Sequence, residues 1–187
     1  MAEFEDKNNI NIIDNDKNTN VNVIVKEWLA TYFETSNDNI SDMLKTQNAT
    51  VYLLIWPIME KDCFNGFMTV DKIDEYSEIL GPYYDKLNMD EITHNFYDRY
   101  QNPIFLINLF IKQGHHYRQV KKLLSVNYNE LSDKDKVYFM LSVVYRFRNN
   151  IFHGSKAIDD WRNYSKEIEK CIIYMMAVVD CYKNYCV

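Results

Sequence analysis

The sequence predicts an all-α fold, a helical bundle of about five main helices, and three observations carry that expectation. Glycine and proline are scarce, four and three in 187 residues, whereas sandwiches and barrels need a turn every few residues. Apolar residues recur at three- and four-residue spacing through most of the chain. The one strongly apolar run that is ambiguous between helix and strand, "PIFLINLFIK", has no convincing strand partner elsewhere, so it is read as a helix.

Residues 1–20, "MAEFEDKNNINIIDNDKNTN", are acidic and Asn-rich and read as a disordered tail. The remainder, 21–187, reads as a single domain. A first helix starts near Val21, with Val25, Trp28, Leu29, Tyr32 and Phe33 on one face. "SNDNIS" reads as a link, and a long second helix is expected from Ser41 or Asp42 through "DMLKTQNATVYLLIWPIMEKDCF", kinked or split at Pro57. "NGF" at Asn65 to Phe67 ends it. The middle reads as two shorter amphipathic helices separated by Gly81-Pro82.

The clearest helix is "LSDKDKVYFMLSVVYRFRNNIFHG". Ser132, followed three residues later by Asp135, forms an aspartate version of the capping box, and Gly154 is placed for a left-handed C-cap. A last helix is expected from Asp159 or Asp160 to Tyr185, with a stripe through Ile168, Cys171, Ile172, Met175, Met176, Val179 and Tyr182.

Charge and composition restrict the function classes. A net charge of −6 argues against a general nucleic-acid binder and leaves local basic patches, "KQGHHYRQVKK" and "YRFRNNIFHGSK", as the places for such contact. Cys63, Cys171, Cys181 and Cys186 show no metal-ligand spacing, and a disulfide scaffold is not expected. With no signal-peptide pattern and no run of about 18 apolar residues, the expectation is a soluble, cytoplasmic protein with no membrane contact.

The stretch "LSVVYRFRNNIFHGSK" breaks its surroundings. At about 100° per residue, Val137, Leu141, Val144, Arg148 and Ile151 share a narrow arc, so a guanidinium lies within an apolar stripe. Its charge is permanent and costly to bury alone, which calls for a carboxylate partner, a cleft or an interface. Arg146 and His153, seven residues apart, lie nearly in line on the other side. In one reading these polar groups only complement the helix dipole and cap carbonyls. In the other they form a site.

"RNNIFHG" resembles the RxxxxH signature of HEPN domains, small helical domains common in prokaryotic RNA-cleaving toxins and antiviral systems. The likeness includes the polar Asn149 after the arginine and the position near the end of a long penultimate helix. It implies a metal-independent endoribonuclease, acting as a homodimer whose motifs face each other, in phage defence or beside a cognate antitoxin or defence subunit. The alternative is a non-catalytic module using the same fold for dimerisation or partner binding. By the resemblance Arg148, His153 and Asn149 are catalytic, Asn150 and Lys156 bind RNA, and Arg146 binds phosphate or makes a dimer contact. Glu60 is the candidate acidic partner of Arg148.

The residue chemistry fits that assignment. A histidine titrates near neutrality and serves as base or acid, and a guanidinium fork matches phosphate oxygens. One histidine cannot do both jobs at once, and a two-fold dimer supplies the second. No cofactor and no metal are expected; His94 and Asp98 have ligand spacing but no third partner. His115 and His116, with Arg118, Lys121, Lys122 and the aromatic Tyr117, read either as a plain exposed segment or as an RNA-contacting patch.

Overall fold

The computed structural model describes residues 21–32, 34–44, 47–111, 114–152 and 164–186, which form helices and no strand among them. The fold is all-α. The chain divides into two compact units, residues 1–45 and 46–187, inside what the sequence reads as one domain from 21. Among the described residues no helix is long and apolar enough to cross a membrane.

The first unit holds α1 (Val21–Tyr32) and α2 (Asn37–Leu44). α2 begins earlier than the expected Ser41 because Ser36 acts as N-cap, its Oγ accepting from Asn39 N–H at 3.2 Å. The "SNDNIS" segment is therefore partly helix rather than link.

The second unit begins with α3 (Gln47–Cys63), so the long second helix of the sequence reading is two helices in separate units. Pro57 neither ends nor splits α3. It lies on the exposed side, where the carbonyl it leaves unbonded meets water, while Tyr52, Trp56, Met59 and Cys63 bury the opposite face. The helix closes on Asn65 and Gly66, both at positive φ (53° and 100°), with Gly66 N–H donating to Glu60 O.

Next come α4 (Val70–Leu80), a 3-10 turn at Gly81–Tyr83, α5 (Tyr84–Leu87) and α6 (Asp90–Tyr100), more pieces than the two helices expected. Gly81 is required by close approach. A Cβ there would stand 3.2 Å from the backbone of Lys134, at the start of the central helix. α7 (Pro103–Phe110) confirms the helical reading of the apolar run, with Asn102 as N-cap. α8 spans His115–Leu123.

α9 (Asp133–Phe152) is the centre of this unit and touches α4 to α8 and the last helix. Ser132 caps it as expected: its Oγ accepts from Asp135 N–H at 3.2 Å and donates to the Asp135 carboxylate at 2.6 Å. The sequence reading gave α9 one buried stripe. In the structure every residue from Val137 to Val144 is buried, as in a helix surrounded by others.

α10 (Ser165–Cys181) packs most extensively on α3 and runs into a π-helical turn at Tyr182–Cys186. Its core side includes Tyr174 and Val178, while Met176, on the expected apolar stripe and read as core or dimer interface, is 49% exposed. The expected start at Asp159 or Asp160 and the Gly154 cap lie outside the described residues.

Candidate functional site

The site is built where α9 leaves the core. From Val137 to Val144 the helix is enclosed; from Tyr145 on, buried residues are interspersed with half-buried ones. Two neighbours hold this end. From α3, the Tyr52 hydroxyl donates to Val144 O at 2.8 Å, and burial raises its pKa far above the usual phenol range. From α7, the Leu109 carbonyl accepts from Asn150 Nδ2 at 2.9 Å.

Arg148 is half-buried. Its guanidinium stands 5.6 Å from the Trp56 ring, and Nη1 donates to Asn149 Oδ1 at 3.0 Å. Tyr52 and Trp56 are one turn apart on α3 and their rings stack at 6.3 Å. The same pair thus steadies the α9 backbone and supports the Arg148 charge, a cation–π contact worth about 0.5–2 kcal/mol depending on desolvation. Within the protein the arginine on the apolar stripe faces an aromatic surface.

Asn150 is 5% exposed, and its amide serves the junction of α7 with α9. The resemblance implies a substrate-binding role for this residue, and in the fold its side-chain amide is turned to the α7 carbonyl. The junction has a second unusual feature. Ile111, just past α7, has φ +52°, a conformation costly for a β-branched residue, and its N–H donates to Ile107 O at 2.8 Å.

Arg146 is half-buried on another side of the helix. Its Nη2 lies 3.1 Å from His116 Nδ1 on α8, and its guanidinium lies over Phe110 at 4.9 Å and Tyr145 at 5.7 Å. His116 Nε2 lies 2.8 Å from Ser142 Oγ, one turn back on α9. Burial first, then the Arg146 charge, lowers the His116 pKa to about 4, so the imidazole is neutral near pH 7.

Glu60 has a local role. Its carboxylate accepts from Met68 N–H at 2.9 Å in the turn after α3, and it makes no ion pair with Arg148. His153 and Lys156 lie outside the described residues. The structure therefore brings Arg148 and Asn149 together and sets Arg146 on a separate support.

The basic stretch of α8 is only partly a surface patch. His115, Arg118, Lys121 and Lys122 are exposed, but His116 and Tyr117 are buried against Phe110, so Tyr117 is not free to stack on a base. His94 stacks on Tyr128 with ring centroids 4.1 Å apart and meets Asp98 at 3.6 Å. Among the described residues no cluster of three ligating side chains could hold a metal.

The sequence reading did not single out Tyr52, Trp56 or His116 as supports of the motif. A signal for His116 was present: with Tyr117, Val120 and Leu124 it forms the buried side of α8 at helical spacing. No family model, no curated protein and no solved structure matches this chain.

Proposed function

We propose that the chain is a metal-independent endoribonuclease of HEPN type, acting as a homodimer. The observation that carries the reading is the support given to Arg148. A permanently charged fork is held in the last described turns of a clamped core helix by Trp56 and Asn149, five residues before His153 in sequence. A cation placed this way suits the charge that builds on a phosphorane.

In the proposed reaction His153 of one copy takes the proton of an RNA 2′-OH, and the oxygen attacks the adjacent phosphorus. The P–O5′ bond breaks, His153 of the second copy protonates the leaving oxygen, and a 2′,3′-cyclic phosphate remains. Arg148 neutralises the developing charge, and Asn149 holds the guanidinium in register. By the resemblance, the setting is phage defence or a toxin–antitoxin pair in the cytoplasm.

The test uses purified protein and end-labelled RNA in buffer containing a chelator. Wild type is expected to give products ending in 2′,3′-cyclic phosphate. Arg148→Ala and His153→Ala should each lose about 10²-fold or more in cleavage rate while melting as wild type does. Undiminished cleavage in either variant overturns the assignment.

A non-catalytic dimerisation or partner-binding module is the second reading. The structural role of Asn150 favours it, since part of the motif's polarity serves packing. A folded wild type that leaves RNA intact selects this reading.

A further inference from the structure

Resting on the ribonuclease reading, we infer that His116 is a positioning residue that presents Arg146 to an RNA phosphate through the hydrogen-bonded chain Ser142–His116–Arg146, in which only the arginine is charged. Arginine has donors only, so the contact at 3.1 Å requires a lone pair on His116 Nδ1. The ring proton is then on Nε2, and it is donated to Ser142 Oγ at 2.8 Å. The tautomer follows from the identity of the partner. Ser142 and Arg146 are one turn apart on the same face of α9, so the imidazole is held at both nitrogens by one rigid helix.

The chemical nature of the partner decides what the contact does. A carboxylate at this position would orient the guanidinium and also cancel its charge, leaving little for a phosphate. A neutral imidazole orients without cancelling. No Asp or Glu among the described residues forms an ion pair with Arg146, and its Nη1 has no acceptor among them. Phe110 and Tyr145, the other groups against the guanidinium, contribute ring faces that accommodate the cation and leave its charge in place. His116 itself is 4% exposed, so it cannot contact RNA directly and acts through the arginine.

The inference separates the two arginines of the motif by support as well as by position. Arg148 is held by α3 and its neighbouring Asn149; Arg146 is held by α8. Loss of His116 should therefore affect substrate affinity, through Arg146, and leave turnover by the Arg148–His153 pair almost intact.

The experiment compares His116→Phe, which fills the ring's space without an acceptor, with His116→Asn, whose Oδ1 stands near the Nδ1 position. Binding is read with a 2′-O-methyl RNA that cannot be cleaved, and kcat and KM with the cleavable strand. His116→Phe is expected to raise both Kd and KM about tenfold with kcat within about twofold, and His116→Asn to recover most of the loss. Adding His116→Phe to Arg146→Ala should make binding no worse than Arg146→Ala alone, because the two act as one unit. A purely structural histidine would instead give multiplying effects, and that result overturns the proposal. If His116→Phe does not melt cooperatively, Ser142→Ala is read in the same cycle; additivity there overturns it equally. A wild type that cleaves RNA with binding unchanged in His116→Phe removes the positioning role alone. A wild type that neither binds nor cleaves removes the ribonuclease reading and this inference together.

Discussion

At the residue scale, the two arginines of one motif have supports of opposite character. Arg148 rests on Trp56 and its neighbour Asn149, whereas Arg146 is held by a buried histidine. The histidine makes the folded protein acid-sensitive in a defined window. Its folded pKa, about 4, lies below the ordinary 6.5, so the unfolded chain takes the proton first as pH falls. The stabilisation is complete above pH 6.5 and is lost progressively towards 4. It amounts to about 3 kcal/mol for a shift of this size. Urea unfolding at pH 7 and pH 4.5 should show His116→Asn losing less stability than wild type over that interval. Equal losses would mean that another group sets the acid limit. This chemistry was not legible in "GHHYRQVKK", because two adjacent histidines among cations look like a solvated face. Helical spacing with Tyr117, Val120 and Leu124 marks the second as inward-facing, but its partners Ser142 and Arg146 and the rings of Phe110, Tyr138 and Tyr145 around it come from the fold.

At the element scale, α9 was the most legible part of the chain. Its cap, its period and the polar break after Val144 could all be read from residues Ser132 to His153. What could not be read is how its end is held, since those contacts come from α3 and α7, roughly 40 to 90 positions away in sequence. For the same reason Pro57 does not split α3 as one expectation had it: proline's cost is local, while Tyr52 and Trp56 in the turns before it bury the helix through tertiary contacts. The Asn150–Leu109 bond ties α7 to α9 and holds the chain beside the left-handed Ile111. Asn150→Ala leaves a carbonyl at the α7 end without its donor and should cost about 1–3 kcal/mol in chemical denaturation. A change below about 0.5 kcal/mol would show that water replaces the amide without loss.

At the scale of the whole molecule, several helices leave apolar side chains in the open. α7 exposes Ile104 and Ile107, with Ile111 exposed just past its end, and α3 exposes Val51, Leu54 and Ile58 at helical spacing. The proposed mechanism needs a second copy, and faces of this kind are what a stable interface would cover. Light scattering at micromolar concentration is expected to give twice the 22.5 kDa chain mass. A strict monomer would leave each His153 alone and make the two-histidine mechanism untenable.

The enclosure of α9 also has a consequence for how such a chain diverges. Eight consecutive residues, Val137 to Val144, tolerate little change in volume, and Arg146, Arg148 and Asn149, three of the groups proposed to act on RNA, follow within the same helix. Drift in the outer helices is absorbed at the surface, but drift in α9 alters packing and chemistry together. Descendants of this sequence would keep a recognisable twenty-residue segment inside surroundings that have changed beyond alignment.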